Sequence, residues 1–157
     1  MPIASLTTSE TDIQQMGVHL GAGHISAATY FQSVDTPTNR QCIAQYRELF
    51  GQHQVTDRCW EAAYFQVHLL AKAIVRAGST QVEDVLQAMR GLEFEAPQGR
   101  IRVDANNHHT YLFSRIGRAN VEGQFDILYE SQSALKPDPY AIAPNFNEWS
   151  GSVGRRP

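Results

Sequence analysis

The sequence predicts an α/β chain. Three observations carry this: a strand–helix–strand opening over residues 1–32, three helices and a strand over residues 33–105, and a further set of period-two strands over residues 106–130. Residues 131–157 hold Pro137, Pro139 and Pro144 and are expected to form an irregular strap, anchored by Tyr140, Phe146 and Trp149.

Each element has a local reason. Ile3 to Leu6 is short, apolar and β-compatible. Thr7, Thr8 and Ser9 follow, and Ser9-x-x-Asp12 is helix-start chemistry, a hydroxyl facing orphan N–H groups with acids in the first turn. Gly21 and Gly23 interrupt, and His24 to Phe31 reads as a second strand. Thr36-Pro37 opens the next helix, with Pro at the first helical position, Cys42, Tyr46 and Leu49 on one face, and Gly51 at the end. Thr56-Asp57 opens the longest helix, whose expected buried stripe is Trp60, Tyr64, Val67, Ala71 and Ile74, widened by Ala63 and Leu70. Gly78 closes it. Thr80-x-x-Glu83 has the form of a capping box, with Val82, Val85, Leu86 and Met89 as the apolar face behind it. Ile101 and Val103, Tyr111 and Phe113, and Phe125, Ile127 and Tyr129 then alternate with other residues, as antiparallel strands do. Two strands flanking a helix need parallel partners, and the chain offers few strands to supply them.

Composition narrows the function classes. The 157 residues are 42 % hydrophobic and 18 % charged, which suits a globular domain. Net charge is −3, and the only basic cluster is Arg155-Arg156 at the tail, so no direct nucleic-acid partner is expected. No apolar run reaches the roughly 18 residues of a membrane span, and no signal peptide is visible, so no membrane insertion is expected. Cys42 and Cys59 are outside any CxxC pair and are expected to be free, buried thiols, with a disulfide between them as the alternative.

No motif of phosphate, dinucleotide, hydrolase or zinc-protease chemistry is present. His108-His109 is the one histidine pair, and neighbours on a strand face opposite ways, so a turn role is expected and no metal or cofactor is assigned. His68 is expected to be a hydrogen-bonded helix histidine. Glu83/Asp84 and Glu93/Glu95 read as solvated acids in a helix start and a loop, so no catalytic residue is assigned and no enzyme is expected. Thr7, Thr8 and Ser9 stand apart. A hydroxyl-rich loop between a strand end and a helix start is where open α/β sheets hold ligands, and its N–H groups and hydroxyls suit a polar ligand, uncharged or anionic. Ordinary helix capping is the competing explanation.

Residues 2–10, Pro-Ile-Ala-Ser-Leu-Thr-Thr-Ser-Glu, together with Tyr30-Phe31-x-Ser33-x-Asp35-Thr36-Pro37, Glu61-Ala62-Ala63-Tyr64, Ala96-Pro97-Gln98-Gly99, Asn106-Asn107-His108 and Lys136-Pro137-Asp138-Pro139-Tyr140, occur in an order that resembles the amide-binding branch of the type I periplasmic binding proteins. That branch includes the negative regulator of aliphatic amidase expression and the short-chain amide or urea transport binding proteins. The resemblance implies the C-terminal part of a two-lobed fold, incomplete as it stands. It implies that residues 1–32 end the second lobe, 33–105 return to the first, and 106–130 cross back, with hinges near Ser33–Thr36 and Asp104–His109. The implied partners are an amide-like ligand, the N-terminal portion of the same protein, and either a transporter permease or an RNA-binding antiterminator regulator. Localisation follows the choice: periplasmic for a transport component, cytoplasmic for the regulator. The alternative is an interaction fragment that associates, with itself or a partner, through exposed apolar surface.

Overall fold

Three of the five described helices start at a side chain that accepts from the first N–H groups. A computed structural model describes residues 3–138. In it β1 (Ala4–Ser5) leads to α1 (Glu10–Met16), where Ser9 and Asp12 form the expected capping box: Asp12 N–H reaches Ser9 Oγ, and Ser9 N–H donates to Asp12 Oδ2 at 2.8 Å. α2 (Val18–Gly21) and β2 (Ile25–Ala28) follow. Thr36 caps α3 (Pro37–Phe50), accepting from Asn39 N–H at 3.0 Å, with Pro37 in the first turn as expected. Asp57 caps α4 (Arg58–Ala77), and Gly78 ends it in the left-handed conformation at φ 62°.

Several elements differ from expectation. α5 (Val82–Met89) has Gln81 at its N-cap with no side-chain cap bond. Ser79 Oγ accepts from Gln81 N–H at 3.1 Å, so the chain turns one residue later than a Thr80 box requires. Glu93 and Glu95 lie in β3 (Glu93–Ala96), a strand rather than a helix start or loop, with Glu95 bonded to Arg100 at 2.5 Å across the hairpin to β4 (Gly99–Val103). β5 is short (Thr110–Tyr111), and β6 (Arg115–Ala119) is a strand of its own before β7 (Phe125–Glu130).

The strands make two sheets. One is ordered β1-β2-β6-β7, with β1 parallel to β2 and the other pairs antiparallel; the second is antiparallel, β3-β4-β5. Asp104–His109 is therefore the turn between β4 and β5 inside one sheet, not a crossing segment. Asp104 Oδ1 accepts from the N–H groups of Asn106 and Asn107, and Asp104 N–H donates to His109 O, which closes that turn. The chain passes between sheets at residues 29–36 and again at 112–114.

Each sheet has its own apolar cluster. Phe65, Leu69, Ala73, Val85, Ala88, Ile101 and Val103 join α4 and α5 to the second sheet. Ile13, Phe31, Ala119 and Phe125 pack α1 on the first. The buried row of α4 is thus Glu61, Phe65, Leu69 and Ala73. From the expected stripe, Val67 is 66 % exposed. On α5 the buried positions are Val85 and Ala88, and Leu86 faces outward. His68 is exposed, tilted against Tyr64 and stacked on Phe94 rather than held by a hydrogen bond among the described residues. Cys42 is buried and free as expected, but Cys59 is exposed in the first turn of α4. The tail anchors Tyr140, Phe146 and Trp149 and the pair Arg155-Arg156 lie outside the described residues. Among the described residues no helix is long and apolar enough to cross a membrane.

Candidate ligand site

The loop after β1 faces the start of α4. Ser9 must be extended to cap α1, at φ −119° and ψ 176°, and this sends Thr7 and Thr8 out toward α4. Arg58, the first residue of α4, donates to Leu6 O and Thr7 O, both at 2.6 Å. Thr11 Oγ1 donates to Asp57 Oδ2 at 3.1 Å. Between loop and helix lies a cavity of about 520 Å³ lined by Thr7, Thr8, Ser9, Thr11, Asp12, Met16, Asp57, Arg58 and Cys59. All three loop residues expected at a site are thus together, facing an element from the other half of the chain.

Their free chemistry differs. Ser9 is buried and its hydroxyl donates to Asp12 Oδ2 at 2.8 Å, so it is committed to capping. The Thr7 hydroxyl lies 3.2 Å from Ser5 Oγ. Thr8 accepts from Ser26 Oγ through its main-chain carbonyl at 2.6 Å, while its hydroxyl has no partner among the described residues. The charges of the cavity are engaged as well. Asp57 Oδ1 accepts from Cys59 and Trp60 N–H at 3.0 and 2.9 Å, and both outer nitrogens of Arg58 are spent on carbonyls. Arg58 keeps its charge and its remaining N–H donors, yet each outer nitrogen already serves a carbonyl and Asp57 caps the α4 N-terminus, which leaves the Thr8 hydroxyl as an unpartnered group among the described residues.

Behind the cavity is a buried polar layer. Tyr30 OH donates to Asn39 Oδ1 at 2.8 Å and lies 2.8 Å from Thr56 Oγ1. Burial drives its phenol far above the ordinary tyrosine value. Gln32 N–H donates to Glu10 Oε1 at 2.7 Å, and Gln32 Oε1 accepts from Thr56 N–H at 2.7 Å. Gln98 Nε2 donates to both oxygens of Glu61, at 3.1 and 2.9 Å. Arg115, 1 % exposed, donates to Thr29 O, to Gln98 O at 2.8 Å, and to Glu130. Burial pushes the carboxyls of Glu10 and Glu61 up to about 7 each. No buried side-chain polar atom among the described residues lacks a partner.

Sequence reading missed Asp57, Arg58 and Cys59 as neighbours of the Thr7–Ser9 loop, because only the fold brings residues 46 to 52 positions apart together. A signal for Glu61 was available: it is the one acid in the row 61, 65, 69, 73, otherwise Phe, Leu and Ala. Elsewhere, a cavity of about 710 Å³ has Phe65, Leu112, Phe113, Leu135, His108 and Lys136 among its lining. Among the described residues no group of three His, Cys, Asp or Glu side chains is arranged to hold a metal ion.

The family described as periplasmic binding protein domain matches residues 1–145. Over 124 residues the chain is 36 % identical to a protein named limonene hydroxylase from Geobacillus stearothermophilus, covering 79 % of this chain and 23 % of that protein. It is 25 % identical over 103 residues to Leu/Ile/Val-binding protein homolog 6 of Brucella abortus, covering 65 % of this chain and 26 % of that one. The chain thus spans about a quarter of the length of these relatives, and the hydroxylase name belongs to the whole of that protein. A Rhodopseudomonas palustris solute-binding protein of an ABC transporter, solved with 4-hydroxybenzoate, superposes at TM-score 0.75 with 20 % identity, covering 91 % of this chain and 39 % of the other. An amino-acid ABC transporter substrate-binding protein from Pseudomonas fluorescens Pf-5 superposes at 0.73 with 22 % identity, covering 88 % and 38 %. These solved neighbours are binding proteins, and at such identities they share the fold alone. The chain belongs to the periplasmic binding protein domain family, as a mixed α/β part of the type I fold.

Proposed function

We propose that this chain supplies one wall of the cleft in a two-lobed solute-binding protein and takes no part in catalysis. The carrying observation is that the Thr7–Ser9 loop, which follows β1 of the first sheet, and the first turn of α4, which packs on the second, face each other across a cavity of about 520 Å³. Ligand bound there touches both halves, so it favours their closed arrangement through contacts the open one lacks. The division into lobes follows the sheets: residues 1–32 and the strands after residue 114 on one side, residues 33–111 on the other.

The ligand class we propose is a short-chain amide, urea or a similar neutral polar molecule. Its support is the engaged state of the charges: Arg58 and the α4 N-terminus are occupied by protein groups, whereas the Thr8 hydroxyl is free among the described residues. Benzoates, which named neighbours bind, carry a carboxylate that would want an unoccupied cation. The output we propose is delivery to a transporter permease in the periplasm or, for a cytoplasmic protein, release of an RNA-binding antiterminator.

A thermal-shift titration with acetamide, butyramide, urea, leucine and 4-hydroxybenzoate tests this. A melting rise with the amides or urea supports the reading, and a rise with 4-hydroxybenzoate alone refutes the ligand class. Association through apolar surface is the second reading, favoured by the exposed Val67, Leu70 and Val75 on α4. It predicts concentration-dependent oligomers and no rise with any ligand.

A further inference from the structure

Both segments that pass between the sheets are gripped by a glutamine that is itself tied to a buried glutamate. At the first, Gln32 donates its N–H to Glu10 of α1, accepts from Thr56 N–H through Oε1, and reaches Gln124 Oε1 with Nε2 at 3.0 Å. At the second, Gln98 accepts from Phe113 N–H at 3.0 Å through Oε1 while Nε2 donates to Glu61 of α4. Arg115 then ties Gln98 O to Thr29 O, so the two passages share one network. We propose that the Glu10–Gln32 and Glu61–Gln98 pairs make the junction a proton-responsive hinge, in which ionisation of the two carboxyls loosens the described arrangement. This inference rests on the reading of the junction as the hinge of a closing cleft.

The direction follows from what each carboxyl faces. Glu10 is 1 % exposed; Asp57 opposes its ionisation and Arg58 favours it, so the two nearest charges have opposite effects. Glu61 is fully buried and faces Arg115, whose guanidinium is shared with Glu130. The Tyr30 phenol lies near both, neutral throughout the working range. Desolvation outweighs the hydrogen bonds at both sites, so each is protonated more readily here than in water. Raising the pH through neutrality therefore favours any arrangement that admits water to these carboxyls. Rotation about residues 29–36 and 112–114 does so without unfolding either sheet.

The test needs no ligand, so it stands or falls separately from amide binding. In the full native protein, NMR would follow the N–H signals of Gln32 and Phe113 and the Gln98 side-chain amide from pH 5.5 to 8.5. Small-angle scattering would give overall dimensions across the same range. The expected result is a titration with a midpoint near 7 at all three groups. Glu10→Gln removes it at Gln32, and Glu61→Gln removes it at Gln98 and Phe113. The expected expansion with rising pH is lost in the double variant, which keeps the low-pH dimensions throughout. Absence of titration at these groups in the unmodified protein overturns the proposal whether or not the variants fold. So does an E10Q/E61Q protein that expands with pH as the unmodified one does.

Discussion

Replacing Arg115 by Met probes the junction most sharply. The Met side chain fills much of the arginine's volume, so the loss is chemical rather than a large cavity. Two main-chain carbonyls, Thr29 O and Gln98 O, lose a charged donor in a site only 1 % exposed. Each orphaned buried acceptor costs about 1–3 kcal/mol. Glu130 adds little, because its side chain is 45 % exposed and can turn to water. The sum is about 2–6 kcal/mol, which spans the range measured when one partner of a buried ion pair is removed and is a large share of a typical domain's stability. Urea unfolding followed by circular dichroism would read it as a lower midpoint at unchanged slope. Arg115→Lys, which keeps the charge but not the planar fork, should lose roughly half as much. A loss below about 1 kcal/mol for Met would refute the claim that Arg115 fastens both passages.

Three further outcomes follow from particular contacts. Gly117→Ala would set a methyl 2.9 Å from Phe31 Cε2 and 3.0 Å from Phe125 Cβ, where the two rings stack at 4.6 Å. Overpacking should cost about 1–3 kcal/mol in the same urea assay. Asp57→Ala removes the cap of the 20-residue α4 and the Thr11 link, so it should cost about 0.5–2 kcal/mol and fray the helix start, read by amide exchange at Cys59 and Trp60. The carboxyls of Glu10 and Glu61 are held at about 7 in the fold, above their ordinary 4.5. The folded state then binds more protons than the unfolded one between those values, so this stability is complete below pH 4.5 and lost as pH rises through 7. Melting temperature should fall from pH 5 to pH 8 by less in Glu61→Gln than in the unmodified chain.

Caps and loop chemistry were the legible part of the sequence. Ser9, Thr36 and Asp57 mark helix starts through short-range bonds within three residues, and Gly78 marks an end through its own φ. The buried face of α4 was not legible. The helix is apolar on more than one side, with Val67, Leu70 and Val75 outside, so periodicity alone could not choose among faces. The true face begins with Glu61, whose burial depends on Gln98, 37 positions away. β6 was missed for a related reason. Arg115, Gly117 and Arg118 look like turn or surface residues, yet Gly117 is small because the Phe31 ring and Phe125 Cβ lie against it, and Arg115 is buried where two carbonyls accept from it. The Thr7–Ser9 loop was legible as a candidate, but its facing wall of Asp57, Arg58 and Cys59 exists only through tertiary contact.

Calorimetric titration of acetamide and urea into the full native protein, compared with its Thr8→Val variant, reads out whether the Thr7–Ser9 loop contacts a neutral polar ligand. Saturable binding of at least one of them is expected, with an affinity at least tenfold weaker without the Thr8 hydroxyl, the loss of one polar contact. Tight binding that Thr8→Val leaves unchanged would contradict the assignment of this loop to the cleft, and no binding of either molecule would contradict the amide reading itself.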